Sequence, residues 1–369
     1  MAESNTSGGE AATAATWDLT PKVSPYLDLH MMFPLLEYVD SLISSGFIPY
    51  SAQDVAAARL SLLRPTHMVD YAMDIYRELH GQEAEIPPEM EEQKARVFER
   101  LEELGVGCTR FRELCASQER SRLVADGKWN VKSLSQMTAL GVNADVVETY
   151  RQNAKFNFDC GDYQTARDML ENYLSLFASS PQRTEAEEDD GFSPQDHQGK
   201  DDGAAGGAVG DPSMYYLTSI DPDLLQVLWG KLSCEILVED WEEASVALSA
   251  VKAAVEKLVS TQKISALEAL RQRTWLLHWS LFVFWNNSSK GLESMVELFF
   301  TELYLQAVTT NAPHLLRYLT AAVLLVKRRV AKNAGGSRGQ ERDARRLMKD
   351  LVRVMRDCDY TDPIVEFVD

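Results

Sequence analysis

Six histidines, at positions 30, 67, 80, 197, 278 and 314, hold the first chemical possibilities in this chain. None stands in HxxxH or HExxH spacing, so no helix face offers a paired zinc site. His278 has the most suggestive setting. It lies within "QRTWLLHWSLFVFWNNSSKG" (272–291), on the same helical face as Trp275 and Phe282. An imidazole there could serve as an axial ligand or a general base. A buried histidine that donates one hydrogen bond to a carbonyl is far commoner, and that structural role is the one expected. Ser260 and Lys263 form S-x-x-K, but the S-D-N and K-T-G companions that would make it catalytic are missing. "WGKLS" (229–233) lacks the upstream glycine a phosphate loop requires, and neither GxGxxG nor GxSxG occurs. Carboxylate pairs such as Glu242–Glu243 read as solvated helix faces. The five cysteines are odd in number and without CxxC spacing. They fit a reducing compartment and core packing rather than a disulfide framework or zinc. No catalytic residue, cofactor, metal or small-molecule substrate is expected.

One cluster could contact anions: Lys327, Arg328, Arg329, Lys332, Arg338, Arg342, Arg345 and Arg346. With "GG" between its halves, the 327–346 segment reads as a basic flexible loop. RNA or an acidic protein face would suit it. The plainer reading is a solvated helix end, since cations favour helix C-termini.

The whole chain runs the other way electrostatically. Its 369 residues hold 56 Asp and Glu against 37 Lys and Arg, a net charge of -19. Non-specific nucleic-acid binders are net cationic, so proteins are the expected partners. The first sixteen residues carry no basic region followed by an apolar run, so they read as a disordered tail, not a secretory signal. The apolar run within 272–291 is bounded by Arg271 and Arg273 on one side and by Asn286, Asn287 and Lys290 on the other, too short to cross a bilayer. Apolar all round at helical spacing, it reads as a helix buried between neighbours.

The elements around these residues read as helix almost throughout. Thr20-Pro21, Ser24-Pro25 and Ser51 mark helix starts; Gly46 and Gly81 mark stops. Pro34 is expected to break or kink the helix that holds it. Pro87 and Pro88 open a charged helix, and 105–141 is expected to be helical but broken, with a turn at Asp126-Gly127. "PIVEFV" (363–368) is the lone β-like stretch, and it could equally open a helix.

Two segments share a pattern. "AKFNFDCGDYQTARDML" (154–170) and "LSCEILVEDWEEASVAL" (232–248) place Tyr163 over Trp241, Ala166 over Ala244 and Leu170 over Leu248. An aromatic, a small residue three later and a leucine four beyond suit a helical hairpin, and Val69, Ala72 and Tyr76 form a weaker copy. The fold expected is all-α: a right-handed solenoid of degenerate helical hairpins. Helical repeats at 17–180 and 214–326 flank an acidic, Gly/Ala-rich loop at 181–213, which buries too little apolar surface to order itself. The basic loop at 327–346 and a last helix within 347–369 follow.

Several longer blocks carry a resemblance. They are "DLTPKVSPYLDLHMMFPLLEY" (18–38), "MVDYAMDIYREL" (68–79), "YRQNAKFNFDCGDYQTARDML" (150–170), "LWGKLSCEILVEDW" (228–241), "LRQRTWLLHWSLFVFWN" (270–286), "PHLLRYLTAAV" (313–323) and "YTDPIVEFV" (360–368). In this order they resemble the e-subunit family of eukaryotic translation initiation factor three, in the PCI superfamily of helical scaffolds. The resemblance implies a non-catalytic component of a cytoplasmic assembly that binds the small ribosomal subunit and supports mRNA recruitment. Its helical repeats would hold neighbouring subunits. It also implies that the chain stops at Asp369 where that family continues into a winged helix, which is expected to be missing here. The alternatives are an RNA-contacting module acting through 327–346, or a scaffold of a related PCI complex, the proteasome lid or the COP9 signalosome.

Overall fold

Local chemistry sets where the helices start. The computed structural model describes residues 17–178, 220–287, 290–332, 338–358 and 360–364; the expected tail at 1–16 and acidic loop at 181–213 lie outside them. After a short helix α1 (Thr20–Val23), two 3-10 turns cover Ser24–Tyr26 and Leu29–Met31. Asp28 caps the second, accepting from the His30 N–H at 2.9 Å. Helix α2 (Met32–Ser44) then begins, so Pro34 is its third residue and breaks nothing. The expected kink is absent because a first-turn N–H has no intrahelical acceptor to lose.

Helices α3 (Ala52–Leu63), α4 (Val69–His80) and α5 (Pro88–Gly107) follow; Ser51 caps α3 through the Gln53 N–H at 3.2 Å. The broken region resolves into α6 (Thr109–Ala116), α7 (Gln118–Ala125) and α8 (Val131–Gln136), with Gly127 left-handed at the expected turn. Then come α9 (Ala144–Asp159), α10 (Tyr163–Ser175), α11 (Pro222–Val238), α12 (Trp241–Ser260), α13 (Ala266–Asn286), α14 (Gly291–Phe300) and α15 (Glu302–Asn311). Helices α16 (Leu316–Lys332) and α17 (Arg338–Asp357) complete the array. No strand forms among the described residues; Pro363 and Ile364 are helical, the second of the two readings this stretch allowed.

The proposed hairpin repeat is visible in three dimensions. Gly161 (φ 89°) and Glu239 (φ 63°) occupy equivalent left-handed positions. Asp162 and Asp240 then cap α10 and α12, accepting from Thr165 N–H at 3.0 Å and Glu243 N–H at 3.2 Å. Tyr163 and Trp241 start the helices, and Ala166 and Ala244 are both fully buried, where only a methyl group fits between close helices. A side chain at Gly161 would strike Met68, 2.9 Å from its Cβ position.

Most helices pack on their sequence neighbours, from α9 on α10 through α11, α12 and α13 to α16 on α17, while α5 packs on α9, α14 on α16 and α15 on α13; the array is an all-α helical repeat solenoid. One hydrophobic core runs from Met31 to Met355, while Phe33, Ala56, Leu60, Leu63, Ala72 and Ile75 form a separate cluster under α2–α4. Helix α13 is buried around its circumference, between α12 and the α14–α15 pair.

The basic segment departs from expectation. Residues 327–332 are the last described turns of α16, and 338–346 are the first half of α17. The lysines and arginines on either side are compatible with helix and stand in it.

Candidate functional site

His278 lies on the inner side of α13, fully buried. Its Nδ1 is 2.7 Å from the Thr274 carbonyl, one turn back. A carbonyl only accepts, so Nδ1 carries the proton. Nε2 is then an acceptor, and it lies 2.9 Å from Nε2 of His314, which must donate. Burial pushes both imidazoles down to about 4; for His314 the neighbouring His278, Lys22 and Arg317 push the same way. The ring of Tyr26 stacks on His278 at 4.1 Å and 14°. This is the carbonyl-bonded histidine expected from the sequence, but its partners are His314 and Tyr26 rather than Trp275 and Phe282. The pair is neutral, closed and packed on both faces. Among the described residues no three His, Cys, Asp or Glu side chains are arranged to hold a metal.

The same region binds the two ends of the described chain together. Trp279 donates its indole N–H to the Tyr26 carbonyl at 2.8 Å. Arg317 donates to the Trp17 carbonyl at 2.9 Å and pairs with the buried Asp362 at 2.7 Å. Lys22 sits over the Tyr360 ring, whose hydroxyl donates to Asp362 at 3.1 Å. Residues 17–31 therefore form a strap across α13 and the start of α16.

A second buried polar group joins α10 to α11. Lys231 and Glu235, one turn apart, form an ion pair with side chains only 3% and 1% exposed. Glu171 reaches Lys231 at 3.5 Å, and Arg167 reaches both Glu235 and Asp240 at 3.7 Å. Burial holds the Glu235 carboxyl above its ordinary range, against the opposing pull of Lys231 and Arg167. Residues at i and i+4 on a helix read as an exposed pair, and nothing local distinguishes this buried one. Neither side chain lines the cleft between α3, α4 and α5 described below.

Two surfaces remain open. At the start of the array Leu35, Tyr38, Phe47 and Tyr50 are exposed, Phe47 by 80%; they are four of the ten most exposed large apolar side chains among the described residues. A cleft of about 300 Å³ opens between α3, α4 and α5, lined by Leu60, Leu63, Thr66, Val69, Tyr76 and Met90. At the other end lie the candidate anion-binding residues. Lys327, Arg328 and Arg329 are exposed on the last turns of α16, and Arg329 faces Glu293 of α14 at 3.4 Å. Lys332 and Arg338 are helical in backbone. Arg342, Arg345 and Arg346 are exposed on α17, where Lys349, Arg353 and Arg356 extend the same row. The proposed patch therefore splits into an α16 end and an α17 ridge. The ridge continues past the segment singled out from sequence, and its 3–4 residue period was the signal for it. No described helix is long and apolar enough to cross a membrane.

Residues 18–157 match the family model described as eIF3 subunit 6 N terminal domain. Over 355 residues the chain is 30% identical to the E subunit of eukaryotic translation initiation factor 3 from Arabidopsis thaliana, covering 95% of this chain and 65% of that protein. It is 30% identical over 359 residues to the corresponding E subunit of Bombyx mori, covering 96% and 67%, and 29% identical over 359 residues to that of Aspergillus clavatus, covering 96% and 66%. The chain thus spans about two thirds of the length of these curated relatives.

Proposed function

The chain belongs to the E-subunit family of eukaryotic translation initiation factor 3, and from that membership we propose that it is a non-catalytic scaffold, acting in the cytoplasm by holding other subunits of the factor. Through them it supports mRNA recruitment to the small ribosomal subunit. The observation that carries the reading is the exposed aromatic end of the array. Helix α2 packs on α3 on one side, and its outer face offers Leu35 and Tyr38 with Phe47 and Tyr50 beyond its end. Large apolar side chains exposed close together at one end of the array suit a protein contact.

Reconstitution with the other purified subunits tests this. The wild-type chain is expected to co-elute with them on size exclusion. The triple substitution Tyr38→Ser, Phe47→Ser, Tyr50→Ser is expected to keep the helical signal and melting temperature but lose co-elution. If the triple variant assembles as well as wild type, this face is not the contact; if wild type does not assemble, the scaffold reading itself fails.

A further inference from the structure

We propose that the outer face of α17 is a ridge that binds the phosphate backbone of double-helical RNA. Between Lys327 and Arg356 the sequence places eleven Lys and Arg against three Asp and Glu, in a chain whose net charge is -19. At ~100° per residue, Arg342, Arg345, Arg346, Lys349, Arg353 and Arg356 fall within an arc of about 100° along roughly 21 Å of helix. All six are exposed. Leu351, Val354 and Met355 are buried on the opposite side, so the ridge points away from the core.

Fold stability does not account for such a row. Cations complement the helix dipole only near the C-terminus, yet Arg338 and Arg342 stand in the first two turns of α17. Like charges three and four residues apart, such as Arg342 with Arg346 and Lys349 with Arg353, also destabilise a helix. Asp350 relieves part of this, lying 3.8 Å from Arg346 and 3.9 Å from Arg353. Asp343 and Asp357 lie on the same edge of the arc as Asp350. The acidic remainder of the chain does not cancel the ridge, because screening limits its reach to about 8 Å at physiological ionic strength.

The form of the ridge selects among anions. Arginine matches phosphate with a bidentate fork. Single-stranded RNA is held by aromatic side chains on which bases stack, and α17 contains no Phe, Tyr or Trp. A straight, sequence-indifferent row of cations suits the regular backbone of a duplex instead. The choice of RNA over DNA rests on the initiation-factor reading.

The test uses the full chain and a labelled 20-base-pair RNA duplex, titrated by fluorescence anisotropy between 50 and 200 mM salt. In parallel run single-stranded RNA, polyglutamate and anionic phospholipid vesicles. Binding to the duplex is expected to weaken linearly in log salt, by roughly 0.9 per phosphate neutralised. Arg342→Gln, Arg346→Gln and Lys349→Gln together should flatten that slope by about 3 and lower affinity roughly tenfold or more at 50 mM salt. The control Arg96→Gln, Arg100→Gln, Arg122→Gln removes the same charge elsewhere and should change neither. Thermal melting confirms that both variants fold. An equal loss in the control, no duplex binding at 50 mM, or tighter capture of polyglutamate, single strands or vesicles would overturn the proposal. Co-elution of the ridge variant with the other subunits separates the two readings: intact assembly with lost RNA binding supports the ridge, and lost assembly with intact RNA binding assigns α17 to protein contact.

Discussion

Replacing Lys231 by Met should be among the most damaging single changes to this fold. The substitution conserves volume and removes only the charge. It leaves Glu235 with its side chain 1% exposed and with Arg167 at 3.7 Å as its nearest cation. Breaking a buried pair by removing one partner typically costs about 3–5 kcal/mol, because the remaining charge is neither solvated nor neutralised. Arg167 softens the loss, which places the expectation near about 3 kcal/mol, or a fall in melting temperature of roughly 6 °C or more. The double change Lys231→Met with Glu235→Leu removes both charges and should return to within about 1 kcal/mol of wild type.

The pH dependence gives a second, independent reading. Burial already raises the Glu235 carboxyl, and Lys231 is the largest group holding it down. Without Lys231 the folded-state value rises further above the unfolded one. A carboxyl shifted upward destabilises the fold at every pH above its folded value, and that penalty fades as pH falls towards the unfolded value of about 4.3. The deficit of Lys231→Met relative to wild type should therefore shrink between pH 7 and pH 5. Urea denaturation followed by circular dichroism, at pH 7, 6 and 5, measures it. A deficit below about 1 kcal/mol that stays flat with pH would show that water reaches Glu235 and that the pair is not buried as described.

Two further outcomes follow from named contacts. Asp162→Ala and Asp240→Ala should each cost about 1 kcal/mol through the lost cap, Asp240 somewhat more because it also faces Arg167; urea midpoints equal to wild type would refute the shared hairpin geometry. The His278–His314 pair has folded values lowered to about 4, so its contribution is complete above the unfolded value of about 6.5 and is lost as pH falls through the window between them. By pH 5.5 each imidazole should cost about 1 kcal/mol, and His314→Leu should make the stability profile between pH 6.5 and 5.5 shallower; an unchanged profile would show that the pair does not titrate with folding.

What could be read in the sequence was whatever local chemistry decides. Asp162-Tyr163 and Asp240-Trp241 start helices because a carboxylate meets free N–H groups two or three residues on, and Ala166 and Ala244 mark close approach whatever lies opposite. The strap was illegible: Trp17 meets Arg317 across 300 positions and Tyr26 meets Trp279 across 253, with no local pattern to announce either. Lys231 and Glu235 were visible as an i, i+4 pair, but burial is a property of the packed neighbours and not of the spacing. The basic residues were found but assigned to a loop. Glycines outweighed periodicity in that reading, and the six-cation row of α17 went unread as a helix face.

Polar contacts with at least one buried partner recur between packed elements, a location that bears on how the stack is specified. Lys231 with Glu171 joins α11 to α10; Arg273 with Glu256, at 2.6 Å, joins α13 to α12; His278 with His314 joins α13 to the turn before α16. Apolar helix faces with a 3.6-residue period can pair in more than one register at similar cost, since sliding by a turn restores much of the contact. A buried ion pair cannot slide, because each partner left alone is strongly destabilising. We infer that these contacts fix the register of successive hairpins more than they add stability. The Lys231→Met, Glu235→Leu variant separates the two roles. It should match wild type in urea yet lose protection from amide hydrogen exchange selectively in α10 and α11, as the interface samples neighbouring registers. Unchanged protection in those two helices, at unchanged stability, would show that apolar packing alone sets the register there.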